Sequence, residues 1–183
     1  MNRNNVYPAE RAGGLDNWLR RLVHNPRRLL GPYLKPGMKV LDIGCGPGVF
    51  TLEAARLVGQ DGRVTAIDIQ EEMLKLVRKK ISGTGLERNI DTRRCEPDSL
   101  GVDEKYDFIV AFYVIHEVPD RKNLFVEISR ALKKGGKVFV VEPTFRVSKE
   151  GFSDYRRELS DMGFSVTDTT KILLSRSLLA TLN

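Results

Sequence analysis

The residues most open to a chemical reading come early in the chain. In "LDIGCGPGVF", Leu41 to Phe50, Gly44, Gly46 and Gly48 alternate with Cys45 and Pro47 between two apolar runs. Asp42 stands two residues before the first glycine, and Asp68 follows about 20 residues beyond them. Glycine loses the most backbone freedom on ordering, so three in five positions imply that something approaches the backbone closely. A strand-to-helix turn of this kind points backbone N–H groups at a polar ligand. The dinucleotide fingerprint reads GxGxxG, whereas the spacing here is GxGxG. A carboxylate at Asp42 would repel a pyrophosphate but suits a ligand bearing an ammonium group and a sulfonium. Asp68, at the end of the next strand, stands where an acidic side chain accepts from ribose hydroxyls. The bland alternatives are a structural turn for the glycines and a helix cap for Asp68.

For these side chains to meet, the turn must join a strand to a helix and Asp68 must end a neighbouring strand. "MKVLDIG" reads as a buried strand, and "FTLEAARLVG" as a helix with Leu52, Ala55 and Val58 along one face and Gly59 as its stop. "GRVTAIDI" is a second strand, rich in β-branched residues. "EEMLKLVRKKI" is a helix whose acidic start and basic end suit its dipole. "NIDTRRCE" is a weaker strand, and "YDFIVAFYVI" is the most apolar and central one. Pro119 suits the first turn of the next helix, Leu124, Ile128 and Leu132 line its face, and Gly135 and Gly136 end it. "KVFVVEP" is a strand, and "SKEGFSDYRRELSDMG" a helix with Phe152, Tyr155, Leu159 and Met162 on one side. "FSVTDTTKILL" and "SLLATL", parted only at Ser175 and Arg176, are expected to pair antiparallel. The alternation predicts an α/β fold: a parallel sheet covered on both faces and finished by an antiparallel hairpin. Residues 1–36 stand apart as a helical arm or lid, with Trp18, Leu22, Leu29 and Leu30 as apolar anchors and Gly13–Gly14 as a joint, leaving 37–183 as the ligand-binding domain.

The totals bound the partners. With 183 residues and 41% hydrophobic composition, the chain has enough for one domain with a core and too little for two. Thirty basic residues face 24 acidic ones, and the net charge of +6 lends mild support to anionic partners such as RNA. The two cysteines, Cys45 and Cys95, lie in no CxxC or Cys/His spacing, so neither zinc nor a disulfide framework is expected. "MNRNNVYPAERAGG" has no apolar core of a secretory signal, and no apolar run approaches the roughly 20 residues of a membrane span. The expectation is a cytoplasmic protein of a reducing compartment.

"VLDIGCGPG", "VTAIDI", "YDFIVAFYVIHEV" and "LKKGGKVFVVE", in that order, resemble the class I S-adenosylmethionine-dependent methyltransferases over residues 34–182. The style is that of the small-molecule, quinone-biosynthesis branch. The resemblance implies a Rossmann-like, doubly wound, mostly parallel seven-stranded sheet with S-adenosyl-L-methionine as cofactor. It implies that Gly44, Cys45, Gly46 and Gly48 wrap the methionine part, and that Asp42 orients the turn and helps fix the amino group. Asp68 then accepts from the ribose hydroxyls, Ile69 lies against the adenine face, and Glu96 accepts from the adenine amino group. Ala111 and Phe112 meet the methionine end. One departure stands out: the position after Glu96, where the family often donates a backbone N–H to adenine, is Pro97, which has none.

"IHEV" falls just past the fourth strand, at the edge where open α/β sheets bind ligands. His116 there is either a general base or a packing residue. Tyr7, Arg11, Tyr113 and His116 are the candidate substrate contacts. The expected function is methyl transfer to a small-molecule acceptor. The alternatives are an RNA methyltransferase, disfavoured because "AFYVIHEV" replaces the Asn/Asp-Pro-Pro-Tyr/Phe pattern of amine-modifying enzymes, and a cofactor-binding interaction protein without turnover. The sequence says nothing of oligomeric state.

Overall fold

The computed structural model describes residues 25–169 and 171–183. Tyr7, Arg11 and most of the expected arm lie outside the described residues. The chain enters with α1 (Pro26–Leu30), opened by proline at its start and by the Asn25 side chain, which accepts from the Arg28 N–H. Leu30 and Leu34 are buried, and the Tyr33 ring lies 5.9 Å from that of Phe108 and 5.8 Å from that of Phe139.

The first half is two strand–helix units: β1 (Lys39–Ile43), α2 (Val49–Val58), β2 (Arg63–Asp68) and α3 (Glu71–Ile81). A short 3-10 turn, Leu86–Arg88, leads to β3 (Ile90–Arg94). The second half comprises β4 (Tyr106–Phe112), a 3-10 turn at Ile115–Glu117, α4 (Arg121–Ala131), β5 (Leu132–Pro143), α5 (Lys149–Asp161), β6 (Phe164–Asp168) and β7 (Ser175–Leu182). Asp120 and Ser148 cap α4 and α5 by accepting from the N–H groups of Asn123 and Gly151.

The seven strands lie in the order β3-β2-β1-β4-β5-β7-β6. The contacts β3–β2, β2–β1, β1–β4 and β4–β5 are parallel, and β7 runs antiparallel to both β5 and β6. The expected Rossmann-like sheet with a terminal hairpin is therefore what the chain forms. Each face carries its own core. Leu41, Ile43, Ile109 and Val140 pack beneath Phe125 and Ile128 of α4 and Leu159 of α5. Val40, Val64, Phe108 and Val141 pack beneath Leu52 of α2, Leu74 and Val77 of α3, and Leu30 of α1. Strands buried on both faces explain the continuous apolar runs.

Four local expectations are corrected. β4 ends at Phe112 although the apolar run continues, because Tyr113 takes φ 60° and turns the chain out of the sheet. Pro119 precedes the helix instead of lying in its first turn. Gly135 and Gly136 do not stop α4; they lie inside β5, where the β4–β5 register shifts, and Gly135 has φ 76°. Ile172, Leu173 and Leu174 lie between β6 and β7 and not at the end of a strand.

The consequence for function lies where the strand order reverses. From β1 the chain proceeds outward to β2 and β3, and from β4 it proceeds the other way. Ligands of open α/β sheets bind in the crevice at the carboxyl ends of strands at such a switch point. Ile43 pairs with Ala111, so the glycine turn and the segment after Phe112 leave the sheet side by side.

Candidate functional site

The three glycines serve different purposes. A Cβ on Gly44 would come within 2.4 Å of a Val114 methyl, and one on Gly48 within 2.9 Å of Leu52 and Val77 side-chain atoms. Those two are small because the protein itself closes on them: Gly44 lets the post-β4 segment approach, and Gly48 lets α2 and α3 pack at the helix start. Gly46 is different. Its φ is 51°, and a Cβ there would meet nothing within 4 Å. The backbone at Gly46 is therefore the part of the turn facing open space, where a ligand can approach the main chain closely. Cys45 is buried, its N–H donates to Ile67 O (3.0 Å), and burial pushes its thiol well above the usual range. It is a small packing residue, as expected for a buried thiol.

Asp68 ties this turn to the second strand. One carboxylate oxygen accepts from the Gly46 N–H (2.9 Å) and the other from the Gln70 N–H (2.9 Å). Burial raises its pKa, and the backbone donors at Gln70, Gly46 and Ile69 oppose that rise. A carboxylate has about four lone-pair positions, so capacity remains for a further donor. Next to it, Cys95 N donates to Asp68 O (3.2 Å), bringing the end of β3 alongside. Glu96 and Ser99 then close a small turn with reciprocal backbone bonds of 3.1 and 3.2 Å, with Pro97 inside it and the Glu96 side chain exposed. Ile69 is half-buried against the core.

Asp42 is placed behind the turn. It is 2% exposed and accepts from the Thr51 hydroxyl (2.5 Å) in the first turn of α2. Desolvation raises its pKa to about 7, the Thr51 hydrogen bond opposes this, and Asp68 adds to it. Its carboxylate thus bears on the geometry of the turn and faces the helix start. Lys80 reaches over from α3 and donates to Pro47 O (2.6 Å).

On the β4 side, Ala111 is fully buried in the sheet, and the Phe112 ring stacks 4.2 Å from that of Phe50. Tyr113, in its left-handed conformation, hydrogen-bonds through its N–H to Val141 O (2.8 Å) and through its hydroxyl to Ser175 (2.5 Å). His116 follows in the 3-10 turn. Its Nδ1 is 2.5 Å from Glu142 Oε2, while Glu142 Oε1 accepts from the N–H groups of Ile115 (2.8 Å) and His116 (3.3 Å). Glu142 lies near the end of β5 and is 0% exposed. The sequence reading missed it, although a lone glutamate in "KVFVVEP" was the available signal.

His116 lines a cleft of about 650 Å³ together with Arg121, Arg146, Ser148, Gly151 and Tyr155. Glu117, beside it, has its pKa raised by burial, with His116 and Arg146 opposing and the Asp68 carboxylate adding to the rise. The Asp68 field reaching Glu117, and Val114 pressed on Gly44, place the two halves of the site next to one another. Asp107 accepts from the Lys39 N–H (2.8 Å) and Lys133 Nζ (2.7 Å) at the opposite end of β4, a structural role. Among the described residues there is no cluster of histidine, cysteine and carboxylate side chains able to hold a metal, and no helix long and apolar enough to cross a membrane.

Comparison with known proteins agrees with this fold. A family model described as a methyltransferase domain matches residues 34–171. The ubiquinone/menaquinone biosynthesis C-methyltransferase UbiE of Shewanella pealeana is 32% identical over 138 residues, 73% of this chain and 55% of that protein. The demethylmenaquinone methyltransferase of Lactobacillus johnsonii is 34% identical over 126 residues, 67% of this chain and 52% of that one. The chain thus spans about half the length of the curated relatives it matches. Among solved structures, a SAM-dependent methyltransferase from Aquifex aeolicus superposes with a TM-score of 0.86 at 25% identity, covering 97% of this chain and 100% of that one.

Proposed function

The chain belongs to the methyltransferase-domain family, whose cofactor is S-adenosyl-L-methionine, and from that premise we propose that it transfers the cofactor's methyl group to a small, quinone-like acceptor. The observation that carries the reading is the open backbone of Gly46, held by the Asp68 carboxylate at the switch point of the sheet. When bound, the cofactor supplies a methyl group on a cationic sulfur that leaves as a neutral thioether.

The chain's own residues bind and align. Asp68 accepts from the ribose hydroxyls while keeping the glycine turn in place. Ile69 lies against the adenine, with the Glu96–Pro97 turn at its polar edge. The backbone of Gly44, Cys45, Gly46 and Gly48, and that of Ala111 and Phe112, encloses the methionine end. Asp42 acts on the turn through Thr51. Tyr113 and His116 face the acceptor from the β4 side; Tyr7 and Arg11, candidates for the same role, lie outside the described residues. Holding donor and acceptor atoms in line is worth up to about 7–11 kcal/mol in the best intramolecular cases. The quinone-like class is supported by the names of the relatives, and by chemistry: an electrophilic methyl group needs an electron-rich acceptor, which a quinone ring becomes on reduction.

Calorimetric titration with S-adenosylhomocysteine tests the cofactor, and labelled methyl transfer to demethylmenaquinone kept reduced tests the acceptor. Binding of S-adenosylhomocysteine and not NAD is expected. Binding of NAD alone would overturn the reading.

A further inference from the structure

We propose that Glu142 is a positioning residue that holds His116 in a single tautomer, so that the imidazole Nε2 is the proton acceptor of the cleft. The proposal rests on the methyl-transfer reading only for the source of the proton. Glu142 is an expensive residue for its place. The strand around it is otherwise apolar, and burying a carboxylate costs several kcal/mol unless hydrogen bonds compensate. Here every available bond is directed at one loop: Oε1 to the N–H groups of Ile115 and His116, Oε2 to the ring of His116. Among the described residues its ion-pair partner is His116 and no lysine or arginine.

A carboxylate can only accept. With Oε2 2.5 Å from Nδ1, the ring proton of the neutral imidazole belongs on Nδ1, and Nε2 keeps its lone pair. His116 lines the cleft, and its Nε2 lies 3.8 Å from Glu117 Oε1. The charged and titratable groups around the ring and its cleft come from several elements. Glu117 is on its own turn and Glu142 on β5, Arg146 is on the loop after β5, Tyr155 on α5, Asp120 and Lys122 at the start of α4, and the Arg121–Glu158 pair lies between α4 and α5. Glu142 occupies the Nδ1 side of the ring, and Arg121 is paired with Glu158.

The step balances without a further reagent. An electron pair of the acceptor forms the bond to the methyl carbon. The carbon–sulfur pair stays with sulfur. The proton that the acceptor loses goes to Nε2, the resulting imidazolium is countered by Glu142, and the proton passes on to solvent. For an acceptor that sheds a proton, such a base contributes typically 10²–10⁴-fold in rate.

Two variants separate this role from a packing role. Glu142→Gln is isosteric and can still accept from Ile115, but its amide N–H donates to Nδ1 and so drives the proton to Nε2. His116→Asn keeps an N–H for Glu142 and removes Nε2. Nitrogen-15 NMR of the imidazoles is simple, since the chain has two histidines. At about pH 9, where imidazole is ordinarily neutral, His116 is expected to carry its proton on Nδ1 in the unaltered protein and on Nε2 in Glu142→Gln. Both variants should lose about 100-fold or more in kcat with reduced demethylmenaquinone. KM and S-adenosylhomocysteine affinity should stay within about twofold, and His116→Asn should flatten the pH profile. A proton on Nε2 in the unaltered protein, or an unchanged tautomer in Glu142→Gln, overturns the proposal. So does a kcat that survives in His116→Asn. Failure to bind S-adenosylhomocysteine would defeat the methyl-transfer reading instead, and the tautomer measurement would stand.

Discussion

Replacing Asp42 by Asn should change how stability depends on pH, and the size of the change follows from where Asp42 sits. The carboxyl is buried behind the glycine turn, and desolvation raises its pKa to about 7 against the Thr51 hydrogen bond, with Asp68 adding to the rise. In the unfolded chain an aspartate titrates near 3.9. Between those values the folded state binds a proton that the unfolded state does not, so stability falls as pH rises through the window. The stabilising difference is complete below the unfolded value and is lost once pH passes the folded one. Each pH unit well inside the window costs about 1.4 kcal/mol, and with the slope halved by pH 7 the climb from pH 5 to pH 7 removes roughly 2 kcal/mol. Asparagine fits the same space, can accept from Thr51 and does not ionise there. Urea unfolding of both proteins from pH 5 to pH 8 should therefore show the unaltered chain losing roughly 3 kcal/mol relative to Asp42→Asn, most of it below pH 7. Parallel curves, within about 0.5 kcal/mol across the range, would mean that Asp42 is ionised in the folded state at pH 5 and would refute the argument.

The other expectations concern the turn and its neighbours. Gly44→Ala should destabilise by about 1–3 kcal/mol from the clash with Val114, with left-handed strain added, and Val114→Ala should restore part of that in urea unfolding. Asp68→Ala removes the acceptor for the Gly46 and Gln70 N–H groups as well as the ribose contact. S-adenosylhomocysteine affinity measured by calorimetry should fall about 10- to 100-fold, at 1–3 kcal/mol for groups left unsatisfied. Pro97→Ala supplies an N–H in the turn between Glu96 and Ser99 and should tighten the same binding several-fold, by roughly 0.5–1.5 kcal/mol. Unchanged affinity would move adenine away from that turn.

What could be read ahead of the structure was whatever rests on local pattern. The helix Glu71–Ile81 appears with the expected bounds because amphipathic spacing, an acidic start and a basic end all agree there. The strands β1, β2 and β5 were legible as runs buried on both faces. Where long-range contacts decide, the pattern misled. The apolar run after Phe112 looks like more strand, but Tyr113 takes a φ of 60° and is held there by bonds to Val141 and Ser175, distant in sequence. Gly135 and Gly136 look like a helix stop and are a kink where β5 meets β4. In the site, the glycine spacing and Asp68 announced themselves, yet the division of labour among the glycines needed their neighbours: Val114, Leu52 and Val77. Glu142 was hidden because its partner His116 lies 26 residues away, on a turn that only the β4–β5 pairing brings near.

The placement of β7 has a consequence for the order in which the domain can be assembled. β6 precedes β7 in the chain, yet β7 is the strand that joins it to β5. A growing chain that has completed β6 has nowhere to dock it. Until Ser175–Leu182 has been made, β5 keeps a bare edge and β6 has no strand beside it. Such edges are templates for pairing with other chains. The interval between synthesis of Asp168 and Leu182 is therefore when the nascent protein is most adhesive, and insertion of β7 ends that hazard by satisfying both edges in one event.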